Sequence, residues 1–151
     1  MNGKLYLIPN TLGESPIDRV LPHEVGSLIR QIKYFVVENE RTVRRFLKLV
    51  DRDIDINALH FTILDKDTTA AQLPAMLSPI AQGHHVGIVS EAGCPGIADP
   101  GATLVALAHE RNIRVAPLVG PSSILMALMA SGMNGQSFAF NGYLPVKKNE
   151  K

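Results

Sequence analysis

Three stretches rich in glycine, proline and small polar residues hold most of what this chain could use for chemistry. They are Pro9-Asn10-Thr11-Leu12-Gly13, the long run from Ser90 to Gly101, and Gly120-Pro121-Ser122-Ser123. The second is the most informative. Gly93, Gly96 and Gly101 admit backbone geometries that a side chain obstructs, and Pro95 and Pro100 stiffen the segment. A stiff loop of bare peptide groups suits a flat ligand with many hydrogen-bonding edges, such as an adenosine. An ordinary strand-to-helix connection is the competing account. In the third stretch Ser122 or Ser123 reads as a helix N-cap, a role compatible with free amides facing a ligand. Neither serine has a glycine two residues on, so the nucleophile elbow of the hydrolases is absent.

Other motifs fail. Asp51-Arg52-Asp53-Ile54-Asp55 imitates the start of a calcium loop, but Ile56 stands where glycine is required and Thr62 where glutamate is required. The dinucleotide and P-loop glycine spacings do not occur. His84 and His85 are neighbours before a strand and point to opposite faces, so no shared metal site is expected. Cys94 has no histidine nearby in sequence and reads as a packed thiol. Arg41, Arg44, Arg45 and Lys48 form either a solvated face balanced by Glu38, Glu40 and Asp51 or a ridge for phosphates.

The elements that must position these loops follow from hydrophobic patterning. Leu5–Ile8, Tyr34–Val37, Phe61–Leu64, Val86–Val89 and Val115–Val119 read as buried strands. Ser15-Pro16 reads as an N-cap and first helical residue, opening a helix that Pro22 interrupts before about Gln31. From Glu40 to Val50, Val43, Phe46, Leu47 and Val50 form one core-facing stripe. Further helices are expected over Thr69–Gln82, closed by Gly83, and over Ala102–Arg111. Ser122–Ser131 is apolar almost all round and is expected to be buried, and Phe138–Phe140 is a possible last strand. Strands separated by helices imply an α/β fold: a mostly parallel, five-stranded sheet with helices on both faces. Ligands then bind at the carboxyl ends of the strands, where all three loops fall.

The chain has 151 residues, enough for one domain. With 46% apolar and 19% charged residues it is not a disordered sequence. A formal charge of +1 excludes a globally basic nucleic-acid binder but not a local basic patch. One cysteine excludes a disulfide scaffold and a thiolate zinc cluster. Without a membrane-length apolar run or a signal peptide, the expectation is a soluble, cytoplasmic domain with no membrane contact and no metal.

Taken in order, these loops resemble the N-terminal domain of the tetrapyrrole methylase superfamily, the class III S-adenosylmethionine-dependent methyltransferases. Within it the chain is most similar to the 16S ribosomal RNA cytidine 2′-O-ribose methyltransferase family. Val89 to Gly101 reads V-S-E-A-G-C-P-G-I-A-D-P-G against that family's V-S-D-A-G-T-P-x-I-S-D-P-G. Pro117 to Ser123 resembles P-L-P-G-P-x-x, Glu38 to Arg41 resembles E-D-T-R, and Phe140 to Pro145 resembles F-x-G-F-L-P. Glu91 replaces the family's usual Asp and Cys94 its Thr. The first loop lacks the P-I-G-N-L pattern, and Leu64-Asp65-Lys66-Asp67 lacks the His and Asn common after strand three.

The resemblance implies S-adenosylmethionine held by Pro9 and Gly13, by Glu91, Ala92, Gly93 and Cys94, by Ile97, Ala98 and Asp99, and by Ser122 and Ser123. It implies a homodimer of two-domain chains, with residues 1–145 as the methyltransferase domain and 146–151 starting a linker to a second domain absent from this chain. Alone, such a domain is expected to be weakly active or inactive. A ribose hydroxyl acceptor requires a proton acceptor, for which Glu38, Glu91 and Asp99 are candidates. Arg41, Arg45 and Lys48 would contact the RNA of the small ribosomal subunit. The alternatives are a methylase of a tetrapyrrole or other small acceptor, and a noncatalytic donor-binding or dimerisation domain.

Overall fold

Four of the five apolar runs are four-residue strands, and the fifth is three residues long. In the computed structural model, which describes residues 3–144, they are β1 (Leu5–Ile8), β2 (Tyr34–Val37), β3 (His60–Ile63), β4 (Val86–Val89) and β5 (Val115–Pro117). They form one sheet in the order β3-β2-β4-β1-β5, with every pairing parallel. The helices are α1 (Ile17–Val20), α2 (His23–Ile29), α3 (Glu40–Val50), α4 (Leu73–Ala81), α5 (Gly101–Glu110) and α6 (Ser123–Ser131). The expected α/β architecture is therefore observed, as an all-parallel sheet.

Strand alternation divides the core into two layers. Ile8, Phe35, Val37 and Val89 face α2 and α3, where Val25, Ile29, Val43, Phe46 and Leu47 are buried. Leu5, Val36, Val86 and Ile88 face α4 and α5, where Met76, Leu77, Ile80, Leu104 and Ala108 are buried. The stripe on α3 is the expected one, with Val50 partly buried at its end. Asn39 caps α3, its side-chain oxygen accepting from the amides of Arg41 (3.0 Å) and Thr42 (3.3 Å). Pro22 separates α1 from α2 and stands at the N-cap of α2.

Several boundaries differ from the sequence reading. Pro16 itself occupies the N-cap of α1, extended at φ −58° and ψ 130°, and Ser15 makes no capping bond. A 3-10 turn over Ala70–Gln72 precedes α4 because Pro74, lacking an amide hydrogen, is accommodated at a helix start. Phe138–Phe140 forms no strand. β5 is a sheet edge whose last residue, Pro117, has no amide to offer a neighbour. The expectation of a buried helix at Ser122–Ser131 is corrected as well. α6 has no buried residue, and neither core layer includes any part of it. Pro145 and the expected linker lie outside the described residues.

Leu47 and Leu49 test the layer assignment on a single helix. Leu47 is fully buried, whereas Leu49 is 69% exposed. In urea denaturation Leu47→Ala is expected to cost about 2–5 kcal/mol, and Leu49→Ala less than about 0.5 kcal/mol.

Candidate functional site

The strands that carry the three small-residue loops are adjacent, β4 beside β1 beside β5, so all three loops emerge at one edge of the sheet. A connected set of polar contacts joins them. The amide of Asn10 donates to the carbonyl of Gly93 at 2.9 Å, forming an isolated antiparallel bridge between first and second loops. The Asn10 side chain, 4% exposed, donates to the carbonyls of Ser90 (3.0 Å) and Glu91 (3.2 Å). Its oxygen accepts from the amide of Thr11 at 2.8 Å. Ser90 is also buried, its hydroxyl donating to the carbonyls of Ala92 (3.1 Å) and Gly93 (3.0 Å).

The third loop is held by contacts that leave no spare volume. The Cys94 thiol donates to the carbonyl of Pro121 at 3.4 Å, which accounts for this cysteine as a packed group. A Cβ on Gly120 would lie 2.1 Å from Cβ of Pro9, and one on Gly93 would lie 3.3 Å from the Pro121 oxygen. Gly93 also has a φ of +66°, which side chains rarely adopt. Asp99 closes the end of the second loop, one carboxylate oxygen accepting from the amides of Gly96 and Gly101, both at 2.8 Å.

The proposed site residues divide by role. Pro9 and Gly93 are buried and act as supports, and Cys94 is half-buried. Gly13, Glu91, Ala92, Ile97, Ala98 and Ser123 are exposed along the rim. Ala98 has a φ of +56°, a conformation uncommon for a residue with a side chain. Ser122 is an N-cap, its hydroxyl accepting from the amide of Leu125 at 3.4 Å. No neighbouring atom lies within 4 Å of a Cβ built on Gly13 or Gly96, so these glycines border open space. Sequence reading placed Asn10 in the first loop and Ser90 at the head of the second without giving either a role. The available signal was a pair of uncharged polar residues directly following buried strands, where any side chain that turns inward must find partners.

Carboxylates gather on the same edge. Glu38 stands at the end of β2, and it shares the lining of a small cleft with Asp99. Desolvation, and then the charges of Glu91, Asp99 and Asp65, push the Glu38 carboxyl above its ordinary range. Burial also raises Asp99, against two amide hydrogen bonds that pull it down. On α3, Arg44 is committed to Glu40 in an i,i+4 pair at 2.6 Å and lies over the ring of Phe61. The Lys48 ammonium donates to the carbonyls of Arg52 (2.7 Å) and Ile54 (2.6 Å). Arg41 and Arg45 remain exposed, and Arg45 and Glu91 line one groove of about 260 Å³ between the first loop and α3. Among the described residues no cluster suits a metal ion, and no helix is long and apolar enough to cross a membrane.

Open space at Gly13 and Gly96 beside clustered carboxylates gives this edge room and negative charge for a cationic ligand. The chain is similar to ribosomal RNA methyltransferases. Relatives named ribosomal RNA small subunit methyltransferase I match from Xylella fastidiosa (34% identity over 145 residues), Micromonospora olivasterospora (34% over 148) and Escherichia coli O157:H7 (30% over 145). The matches cover 96%, 97% and 96% of this chain and 50%, 44% and 48% of the relatives. The chain thus spans about half the length of the curated relatives it matches. No protein-family profile matches it.

Two variants probe this edge. Asn10→Ala leaves two carbonyls unpaired and is expected to cost about 1–3 kcal/mol in urea denaturation. The isosteric Asn10→Asp costs more, because it faces a carboxylate toward the same two carbonyls. Glu38→Gln removes a group that is harder to ionise in the folded state than in the unfolded one. Its melting temperature is therefore expected to exceed that of the parent at pH 7–8, by an amount that shrinks as pH falls through the raised folded value and vanishes below about pH 4.

Proposed function

We propose that this chain is the donor-binding domain of an S-adenosylmethionine-dependent methyltransferase that modifies ribosomal RNA of the small subunit on a ribose 2′-hydroxyl. The observation that carries the reading is the tying of three small-residue loops into one rim by Asn10, Ser90 and Cys94. The names of the relatives, each a ribosomal RNA small subunit methyltransferase I, support the substrate class.

When bound, S-adenosylmethionine supplies a methyl group already activated on a positively charged sulfur. In this reading Glu91, Ala92 and the Ile97–Asp99 turn hold the donor's polar groups, with Gly13 and Ser123 bordering it and Pro9, Gly93, Cys94 and Ser122 fixing the rim. The protein's contribution is alignment and a preorganised field. The carboxylates of Glu38, Glu91 and Asp99 favour a cationic ligand over a neutral one of the same shape. Glu38 is the proton acceptor for the attacking hydroxyl, since its raised basicity is the property a general base requires. Arg41 and Arg45, the free members of the α3 ridge, steer RNA phosphates toward this edge.

The reading extends to a longer, two-domain, homodimeric protein acting in the cytoplasm. Val119, Met126 and Met129 are large apolar residues left exposed, Met129 at 82%, and a second domain over them completes the donor cleft.

The test uses the full-length protein. Calorimetry is expected to show donor binding, and tritiated methyl groups are expected to enter 2′-hydroxyls of isolated small subunits. Glu38→Gln should lower kcat by about 10²–10⁴-fold while donor affinity, still supported by Glu91 and Asp99, falls far less. Absence of donor binding would end the proposal; binding without transfer to RNA would favour a small-molecule acceptor or a noncatalytic domain instead.

A further inference from the structure

A wide cavity lies at the opposite edge of the sheet, where the strands begin. It is an open groove of about 1250 Å³ between the C-terminal ends of α4 and α5 and the chain entering β1 and β5. Lys4, His85, Arg111 and Arg114 line it over an apolar floor that includes Leu77 and Ile80, and no Asp or Glu takes part. Among the described residues the ion pairs are Arg30 with Asp51 and Arg44 with Glu40, so the three groove cations have no carboxylate partner. The His85 ring is oriented by its Nδ1, which accepts from the amide of Lys4 at 3.1 Å. In the neutral form its proton is therefore on Nε2, a further donor.

The groove is one end of a longer row. In sheet order, the residues that open or directly precede the strands are His60, Lys33, the His84-His85 pair, Lys4 and Arg114. Every strand thus begins beside a cation or an imidazole, over a width of about 19 Å. The rings of His60 and His84 lie 4.9 Å and 5.2 Å from that of Tyr34, so the row also carries exposed planar groups.

Cations at helix C-termini are commonly explained by the helix dipole, and here α4 and α5 bring two such ends. Each contributes about half a negative charge. Lys4, Arg111 and Arg114 together exceed that sum by about two positive charges, and Lys4 and Arg114 belong to no helix. A groove this large and open does not enclose a small metabolite, for which about 300–1,000 Å³ suffices. It suits a polymer whose phosphates cross it.

We infer that the amino edge of the sheet is a second RNA contact, gripping the phosphodiester backbone away from the site of methyl transfer. The inference rests on the RNA reading above and adds a binding surface to it. The donor loops and this row occupy opposite ends of strands about 13 Å long, so one RNA molecule reaching both must wrap past an edge of the sheet.

The test is fluorescence anisotropy of a labelled single-stranded RNA with the full-length protein, titrated between roughly 50 and 200 mM KCl. The combined variant Lys4→Gln, Arg111→Gln, Arg114→Gln is expected to bind about 10–100-fold more weakly at about 100 mM salt, with the salt slope reduced by about two. Donor affinity by calorimetry should be unchanged, which separates this loss from misfolding. An unchanged slope in a variant that still binds donor overturns the inference, as does a lower melting temperature with the slope intact, the signature of helix capping alone. A parent protein that binds donor but no RNA refutes this contact and the RNA substrate together. One that binds RNA through these residues but no donor refutes only the methyltransferase reading.

Discussion

An amide side chain withdrawn from water must find partners for its donors and its acceptor, and Asn10 finds all of them at the junction of two loops. The site depends on this constraint. The carbonyls of Ser90 and Glu91 point inward because Asn10 is there to donate to them, and the backbone bridge to Gly93 sets the spacing of the two loops. Ser90 repeats the device within the second loop, and Cys94 passes it to the third. Gly93 and Gly120 are the matching omissions: each leaves the volume of one methyl group to an approaching chain.

The inner strands β1, β2 and β4 were legible because helices cover both faces of the sheet there, so each is an apolar run, whereas the edge strand β3 is largely exposed and includes His60 and Thr62. Val43, Phe46 and Leu47 revealed the inner face of α3 by spacing alone, and Pro22 marked the break before α2. The loops were legible as loops. Their meeting was not, since it depends on β4, β1 and β5 lying side by side, and strand order leaves no trace in local composition. Asn10 and Ser90 were invisible as linchpins for the same reason: their partners lie in contacts, not in spacing. α6 misled in a different way. Apolar composition all round reports that a helix is suited to burial, while whether it is buried depends on what else is present to cover it.

Charge is arranged along the strand axis. Glu38, Asp65, Glu91 and Asp99 sit at the carboxyl edge, where mutual repulsion raises Glu38, and Lys4, Lys33, Arg111 and Arg114 sit at or beside the amino edge. A net charge of +1 conceals this polarity.

The exposed position of α6 has a consequence for how tightly that segment is held. With no residue in either core layer, it is held by its own hydrogen bonds, the Ser122 cap and the half-buried Ile124 and Leu128. Its opening free energy is accordingly expected to lie far below that of β1 or β4, the interior strands of the sheet. Slow exchange of the α6 amides, should it occur in the intact protein, would measure how fully this helix is covered by its surroundings and say little about the stability of the sheet beneath.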